Sequence, residues 1–292
     1  MIFQGVLPAV LTPYGPDGSV HAAALREHVD WLIDAGVHGI VGVGSMGDFS
    51  FLTPEERRNV TRLLIEAANG RVPVTIGISA STAADARAFA TFSVETGAQS
   101  LMCLPPTSYA ADAREVFEFF HSVASATDLP LMIYNNPEAG RTDLMPEMIA
   151  RLFAIDGIAG VKESSGDPRR VAAILLLTAN EMDVLVGGDD WPLEGLCAGA
   201  SGWVSGCANV QPAECVELFK LCKEGKVEAA RSLSQRLLPL GRLDQAKVVQ
   251  FHKAALSRIG RYGGPNRPPR LELTEDEARV VDSALRHLRG GG

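Results

Sequence analysis

Ile158-Ala159-Gly160-Val161-Lys162-Glu163-Ser164-Ser165-Gly166-Asp167 is an apolar run that ends on a lysine and passes into a glycine-containing turn. The apolar residues before Lys162 read as a strand buried on both faces. A lysine at the end of such a strand must desolvate its ammonium, which favours the free amine. A free amine at the mouth of a barrel is the nucleophile that forms a Schiff base with a ketone. A strand-end lysine can equally snorkel to solvent, and on this stretch alone both readings stand.

Similar runs recur about every thirty residues, the length of one βα unit. They are Val6–Leu11, Gly39–Val43, Val74–Ile78, Ser100–Leu104, Leu131–Tyr134, Ile158–Lys162, Val184–Val186 and Gly202–Ser205. Amphipathic segments lie between them. Leu25, Val29, Leu32 and Ile33 share one helical face, as do Val60, Leu63, Leu64 and Ala67, and Val116, Phe120, Val123 and Ala124. Thr53-Pro54-Glu55-Glu56 combines a capping box with proline at the first helical position, Asp167-Pro168 repeats the cap-then-proline pattern, and Thr274 to Glu277 is a second capping box. Eight strands alternating with helices predict a parallel sheet, and eight is the number that closes a (β/α)8 TIM barrel. A doubly wound open sheet would want a GxGxxG turn after the first strand, where the chain has only Thr12-Pro13-Tyr14. Helical periodicity then continues through Ala213–Cys222, Val227–Leu240, Asp244–Ile259 and Glu275–Leu288. We therefore expect a catalytic barrel over residues 1–223 and a C-terminal helical extension over 224–292, with the glycines at 290–292 frayed.

Of the 292 residues, 46% are hydrophobic and 21% charged, ample for one large core. A net charge of −8 without a Lys/Arg run argues against nucleic acid or an anionic membrane as partner. Met1 to Gly5 lacks the basic start and apolar core of a signal peptide, and no apolar stretch reaches the ~20 residues of a membrane helix. Five cysteines with no CxxC pair read as reduced thiols of a cytoplasmic protein. Six scattered histidines offer no metal-ligand spacing, so neither a metal nor a cofactor is expected.

Active-site residues of such barrels sit at the C-terminal ends of strands. Lys162 ends the sixth strand and Tyr134 the fifth. Neighbouring strands are ~4.8 Å apart, so the two can converge on one substrate, lysine attacking a carbonyl and tyrosine moving protons. Tyr134 as a plain amphipathic rim residue is the bland alternative. The second strand ends in Gly42-Val43-Gly44-Ser45-Met46-Gly47-Asp48-Phe49, a turn whose backbone N–H groups and serine hydroxyl suit a carboxylate. A tight turn that merely needs glycine has the same pattern. Gly187-Gly188-Asp189-Asp190 ends the seventh strand, and two aspartates there would repel phosphate; they read as a helix-starting acidic turn. Trp191 and Trp203 read as core.

Gly44-Ser45-x-Gly47-Asp48, Tyr134-Asn135-x-Pro137 and Gly160 to Asp167 together resemble the dihydrodipicolinate synthase/N-acetylneuraminate lyase family, class I Schiff-base lyases acting on pyruvate and related 2-keto acids. The resemblance implies that Lys162 is the Schiff-base lysine and Tyr134 the proton-shuttling phenol. It implies that Ser45 and the backbone of Met46 hold a small carboxylate substrate, that Gly188 and Val204 line the pocket, and that the chain assembles as a homotetramer. Where the synthases have a second hydroxyl residue for their proton relay, this chain has Met46, which cannot relay a proton. Asp48 stands for their glutamate, Thr107 for a tyrosine lent by a neighbouring subunit, and Ala139 for an arginine, with Arg141 two residues on. The pattern looks closer to a deaminase of 4-hydroxy-pyrroline-2-carboxylate, with 4-hydroxy-2-oxoglutarate aldolase next and dihydrodipicolinate synthase behind both. A non-catalytic keto-acid sensor barrel would be expected to have lost Lys162 or Tyr134, and a phosphate-binding barrel would want a glycine-rich nest after strands seven and eight.

Overall fold

All eight apolar runs become parallel strands: β1 (Gly5–Pro8), β2 (Ile40–Gly42), β3 (Val74–Gly77), β4 (Ser100–Cys103), β5 (Leu131–Asn135), β6 (Ile158–Glu163), β7 (Asp183–Val186) and β8 (Gly202–Ser205). The computed structural model describes residues 2–288, apart from the side chains of residues 244–246. Hydrogen-bonded neighbours run in the order β1-β8-β7-β6-β5-β4-β3-β2. The ring closes through a parallel bridge between Ala9 and Val41, with the Val10 N–H donating to the Val41 carbonyl at 2.8 Å. Ala159 apart, every strand residue is buried, as parallel strands covered on both faces require. This is a (β/α)8 TIM barrel with C-terminal helices.

The outer layer is α1 (Ala22–Asp34), α2 (Pro54–Ala68), α3 (Ala83–Thr96), α4 (Ala113–Ala124), α5 (Pro137–Gly140), α6 (Pro146–Phe153), α7 (Arg169–Leu177), α8 (Pro192–Cys197) and α9 (Pro212–Lys223). The predicted apolar faces are the buried ones, with Leu25, Val29, Val60, Leu64, Val116 and Phe120 all at most 1% exposed. Thr53 and Glu56 form the reciprocal capping box of α2. Thr274 and Glu277 exchange the equivalent bonds at 2.9 and 3.3 Å. Asp167 accepts from the Arg169 N–H at 3.1 Å, and α7 opens after Pro168. Sequence periodicity does not foreshadow α5, because a single turn has no period to read. Pro137 and the Asn136 side chain, which accepts from the Glu138 and Ala139 N–H groups, start it locally.

Beyond the barrel, α10 (Val227–Gly241) packs on α8 and α9, and α12 (Glu275–Leu288) packs on α10 and α11 (Asp244–Arg258). The segment between α11 and α12 runs back to the loop after β2, where Arg267 and Arg270 make their contacts. The glycines at 290–292 lie outside the described residues. All five cysteines are free thiols, and among the described residues no helix is long and apolar enough to cross a membrane.

Candidate active site

Tyr134 and Lys162 are direct register partners across β5 and β6, and Asn135 pairs with Glu163 one step further. Alternation along a strand sends each pair to opposite sides of the sheet. On the outer side the Asn135 amide donates to Glu163 Oε2 at 2.8 Å and to the Leu144 carbonyl at 3.2 Å, and its Oδ1 accepts from the Leu144 N–H at 3.0 Å. Glu163 also accepts from the Ser165 N–H at 2.6 Å. Burial pushes the Glu163 carboxyl above its ordinary range, and the Ser165 and Asn135 hydrogen bonds pull against that. This buried polar lock fixes the ends of β5 and β6, and so fixes the inner pair. There Lys162 Nζ lies 4.0 Å from the centre of the Tyr134 ring, and both residues are buried. The Tyr134 hydroxyl accepts from the Asn136 amide at 3.0 Å. An amine beside a phenol can add to a carbonyl and have the resulting oxygen protonated locally.

The loop after β2 is a closed turn. The Asp48 N–H donates to the Ser45 carbonyl and the Phe49 N–H to the Gly44 carbonyl, each at 3.2 Å. Thr12 Oγ1 donates to the Gly47 carbonyl at 2.8 Å and ties the turn to the segment that follows β1. Val43, a β-branched residue, is held at φ +55° as the chain enters this turn, a conformation that persists only where the surroundings over-determine it. Glycine is needed at the facing position of β3, since a Cβ on Gly77 would sit 2.4 Å from the Val43 carbonyl oxygen. The Ser45 hydroxyl oxygen is buried with no hydrogen-bond partner among the described residues. An unpaired buried hydroxyl is costly, and a ligand carboxylate would satisfy it.

Ser45 also lines a cleft of about 910 Å³, with Thr107, Ala139, Arg57, Arg141 and Arg270 among its other walls. Four arginines against Asp85 and Glu138 give this cleft a cationic balance that suits carboxylates. Thr107, Ala139 and Arg141, set apart in the sequence by their difference from the synthase pattern, thus line the same cleft. Met46, Gly188, Val204, Tyr134 and Lys162 do not line it. Met46 is buried, and its Cε lies 3.4 Å from where a Cβ on Gly206 would be. Val204 is buried in β8, and a Cβ on Gly188 would meet the Trp191 ring nitrogen at 2.2 Å.

Sequence reasoning missed Gly187. A Cβ there would fall 1.8 Å from Ser164 Oγ, 2.8 Å from the Glu163 carbonyl and 2.9 Å from Lys162 Cγ, so only glycine leaves room beside the lysine. The Gly-Gly pair after β7 was the available signal. Asp189 has a different place from the helix-starting turn expected of it. Its carboxylate accepts from Ser205 Oγ at 2.8 Å and from the Gly206 and Cys207 N–H groups at 2.9 and 3.0 Å, pinning the loop after β8. Ligand atoms of Asp189, Cys207 and His252 lie within 4.8 Å of one another, a buried trio that sequence spacing could not reveal. Both Asp189 oxygens are engaged by those donors, so the trio earns no metal assignment.

The dihydrodipicolinate synthetase family model matches residues 2–288. The chain belongs to the dihydrodipicolinate synthetase family. Its relatives include the 4-hydroxy-tetrahydrodipicolinate synthases of Methanopyrus kandleri, 34% identical over 98% of this chain and 96% of that one, and of Methanothrix thermoacetophila, 34% identical over 96% of each. Among solved structures, the E. coli K12 prophage protein YagE in complex with pyruvate superposes with a TM-score of 0.94 at 28% identity, covering 99% of both chains. The 4-hydroxy-tetrahydrodipicolinate synthase of Methylacidiphilum fumariolicum gives a TM-score of 0.94 at 28% identity over 99% of this chain and 97% of its own. As a member of the synthetase family, this protein is a lyase of the class I aldolase type.

Proposed function

We propose that this lyase works through a Schiff base between Lys162 and the carbonyl carbon of pyruvate, and that its reaction is the condensation of pyruvate with aspartate semialdehyde. The observation that carries the Schiff base is the Lys162 amine 4.0 Å from the Tyr134 ring at paired register positions. The choice of reaction rests on relatives that share about a third of the sequence and are named 4-hydroxy-tetrahydrodipicolinate synthase. In this reading the Lys162 amine adds to carbon 2 of pyruvate, giving a carbinolamine. Tyr134, its oxygen accepting from Asn136, gives its own proton to the carbinolamine oxygen, which leaves as water. The Tyr134 phenolate takes back a proton from the iminium methyl group, restoring the phenol and giving the enamine that attacks the aldehyde. The Ser45 hydroxyl and the Met46 N–H receive the pyruvate carboxylate, and Arg141 in the cleft supplies the guanidinium that Ala139 lacks. A cytoplasmic location belongs to the same proposal.

One observation favours the deaminase that the sequence reading put first. Met46 is buried with its thiomethyl group towards Gly206, an apolar wall where the synthase relay wants a hydroxyl. A 4-hydroxy-pyrroline-2-carboxylate substrate, losing its hydroxyl after ring opening, would depend on Lys162, Tyr134 and Ser45 alone.

Borohydride with pyruvate should leave a reduced pyruvyl group on the peptide that contains Lys162, and Lys162→Ala should abolish it. Turnover of pyruvate with aspartate semialdehyde should exceed ammonia release from 4-hydroxy-pyrroline-2-carboxylate and pyruvate release from 4-hydroxy-2-oxoglutarate. An adduct on another lysine would overturn the mechanism, and ammonia release as the fastest reaction would reverse the choice between the two readings.

A further inference from the structure

We propose that Arg270 and Asp48 form a strut between the C-terminal segment and the turn after β2, which makes Arg270 a positioning residue for the substrate carboxylate. The carboxylate part of this inference rests on the Schiff-base reading above; the strut itself does not.

Asp48 closes the turn that carries Ser45. Its side chain is fully buried, its backbone is left-handed at φ +56°, and its N–H holds the Ser45 carbonyl. The position of Asp48 therefore sets that of Ser45, whose hydroxyl awaits a partner. A buried carboxylate needs a cation and further donors. Arg270, 222 positions away in the chain, supplies the cation, its Nε donating to Asp48 Oδ1 at 3.0 Å. The Tyr14 hydroxyl faces Asp48 Oδ2 at 3.4 Å. Burial raises the Asp48 carboxyl above its ordinary range, and Arg270 and then Lys253 oppose the rise.

Arg270 is itself constrained. Its Nη1 donates to Gln250 Oε1 at 3.3 Å, and its guanidinium lies 5.0 Å from the Phe51 ring centre. Arg267 secures the same segment three residues earlier, with a bidentate pair to Glu56 at 2.8 and 2.7 Å and a bond to the Phe51 carbonyl at 3.1 Å. The Tyr14 ring has the Arg267 guanidinium and the Lys253 ammonium each 4.2 Å from its centre. Without Arg270, Asp48 would lose its hydrogen-bonded cation, keep only the Tyr14 hydroxyl and the field of Lys253, and have to move or take up a proton. Either response loosens the bond from its N–H to Ser45.

The experiment compares the full chain with Arg270→Gln, Arg270→Lys and Arg270→Gln/Asp48→Asn. Hydrogen exchange read on peptides covering residues 44–52 should accelerate in Arg270→Gln relative to the barrel strands, and Arg270→Lys should recover part of the protection. In borohydride trapping, the pyruvate concentration for half-maximal labelling of Lys162 should rise about tenfold or more in Arg270→Gln, with a much smaller change in the saturated rate. The double variant should be no worse than the single one, because both remove the same contact. Unchanged exchange in residues 44–52 overturns the strut, and faster exchange with unchanged half-saturation overturns its role in carboxylate binding. A wild-type chain that labels with no keto acid refutes the Schiff-base reading and with it the carboxylate role, while the exchange measurement still decides the strut.

Discussion

At the scale of single residues, Tyr134 bears the sharpest prediction. Tyr134→Phe keeps the ring beside Lys162 and removes the hydroxyl that accepts from Asn136. It should fold normally and lose roughly 10²–10⁴ in turnover, the range for a general acid–base group. Steady-state rates alongside thermal melts check this, and near-normal turnover would reduce Tyr134 to a packing residue. The juxtaposition of Tyr134 and Lys162 was legible because both end neighbouring strands, so equal strand positions meaning equal heights was enough to place them together. Asp48 was legible only as an odd residue in a glycine turn. Its partner Arg270 is 222 positions away, and no periodic pattern links side chains across such a distance.

Elements that repeat a period were read correctly, and those that depend on a single contact were not. Strands β1 to β8 follow from short continuous apolar runs at a regular spacing, and the apolar faces of α1, α2 and α4 from helical periodicity. The single turn of α5 and the grip of Asp189 on the loop after β8 have no such signature. Helix α11 offers a test at this scale through Lys253, which is 2% exposed and donates to the Pro265 carbonyl at 3.0 Å. Burial lowers the Lys253 ammonium to about 8 from 10.5, with Asp48 and Glu272 opposing. Below pH 8 the folded and unfolded chains both carry this proton, and stability does not respond to it. Between pH 8 and 10.5 the unfolded chain binds the proton that the folded chain has lost, so stability rises with pH. Over that window the wild type should gain up to about 3 kcal/mol relative to Lys253→Met. The comparison must be relative, because the raised Tyr14 phenol and Cys103 thiol act with the opposite sign. Denaturant melts at pH 7.5 and 10 measure it, and parallel curves would show that α11 does not hold Lys253 in a desolvated site.

For the molecule as a whole, we propose a homo-oligomer, a tetramer of D₂ symmetry. Leu176 and Leu177 at the end of α7, 79% and 48% exposed, are apolar surface that a second copy could cover. Light scattering at micromolar concentration should give about 124 kDa, four times 31.1 kDa, and a mass near that of one chain would contradict it. The placement of Arg270 has a consequence for how the protein is made. Translation finishes β8 at Ser205, when every strand of the barrel has been synthesised, but Arg270 is added 65 residues later, a delay of roughly 3 to 13 s at ordinary elongation rates. During that interval the nascent barrel has Lys162 and Tyr134 but lacks the strut under Ser45. On the strut proposal, then, competence to hold the substrate carboxylate comes near the end of synthesis, and a half-made chain is spared from capturing keto acids before its surface is complete.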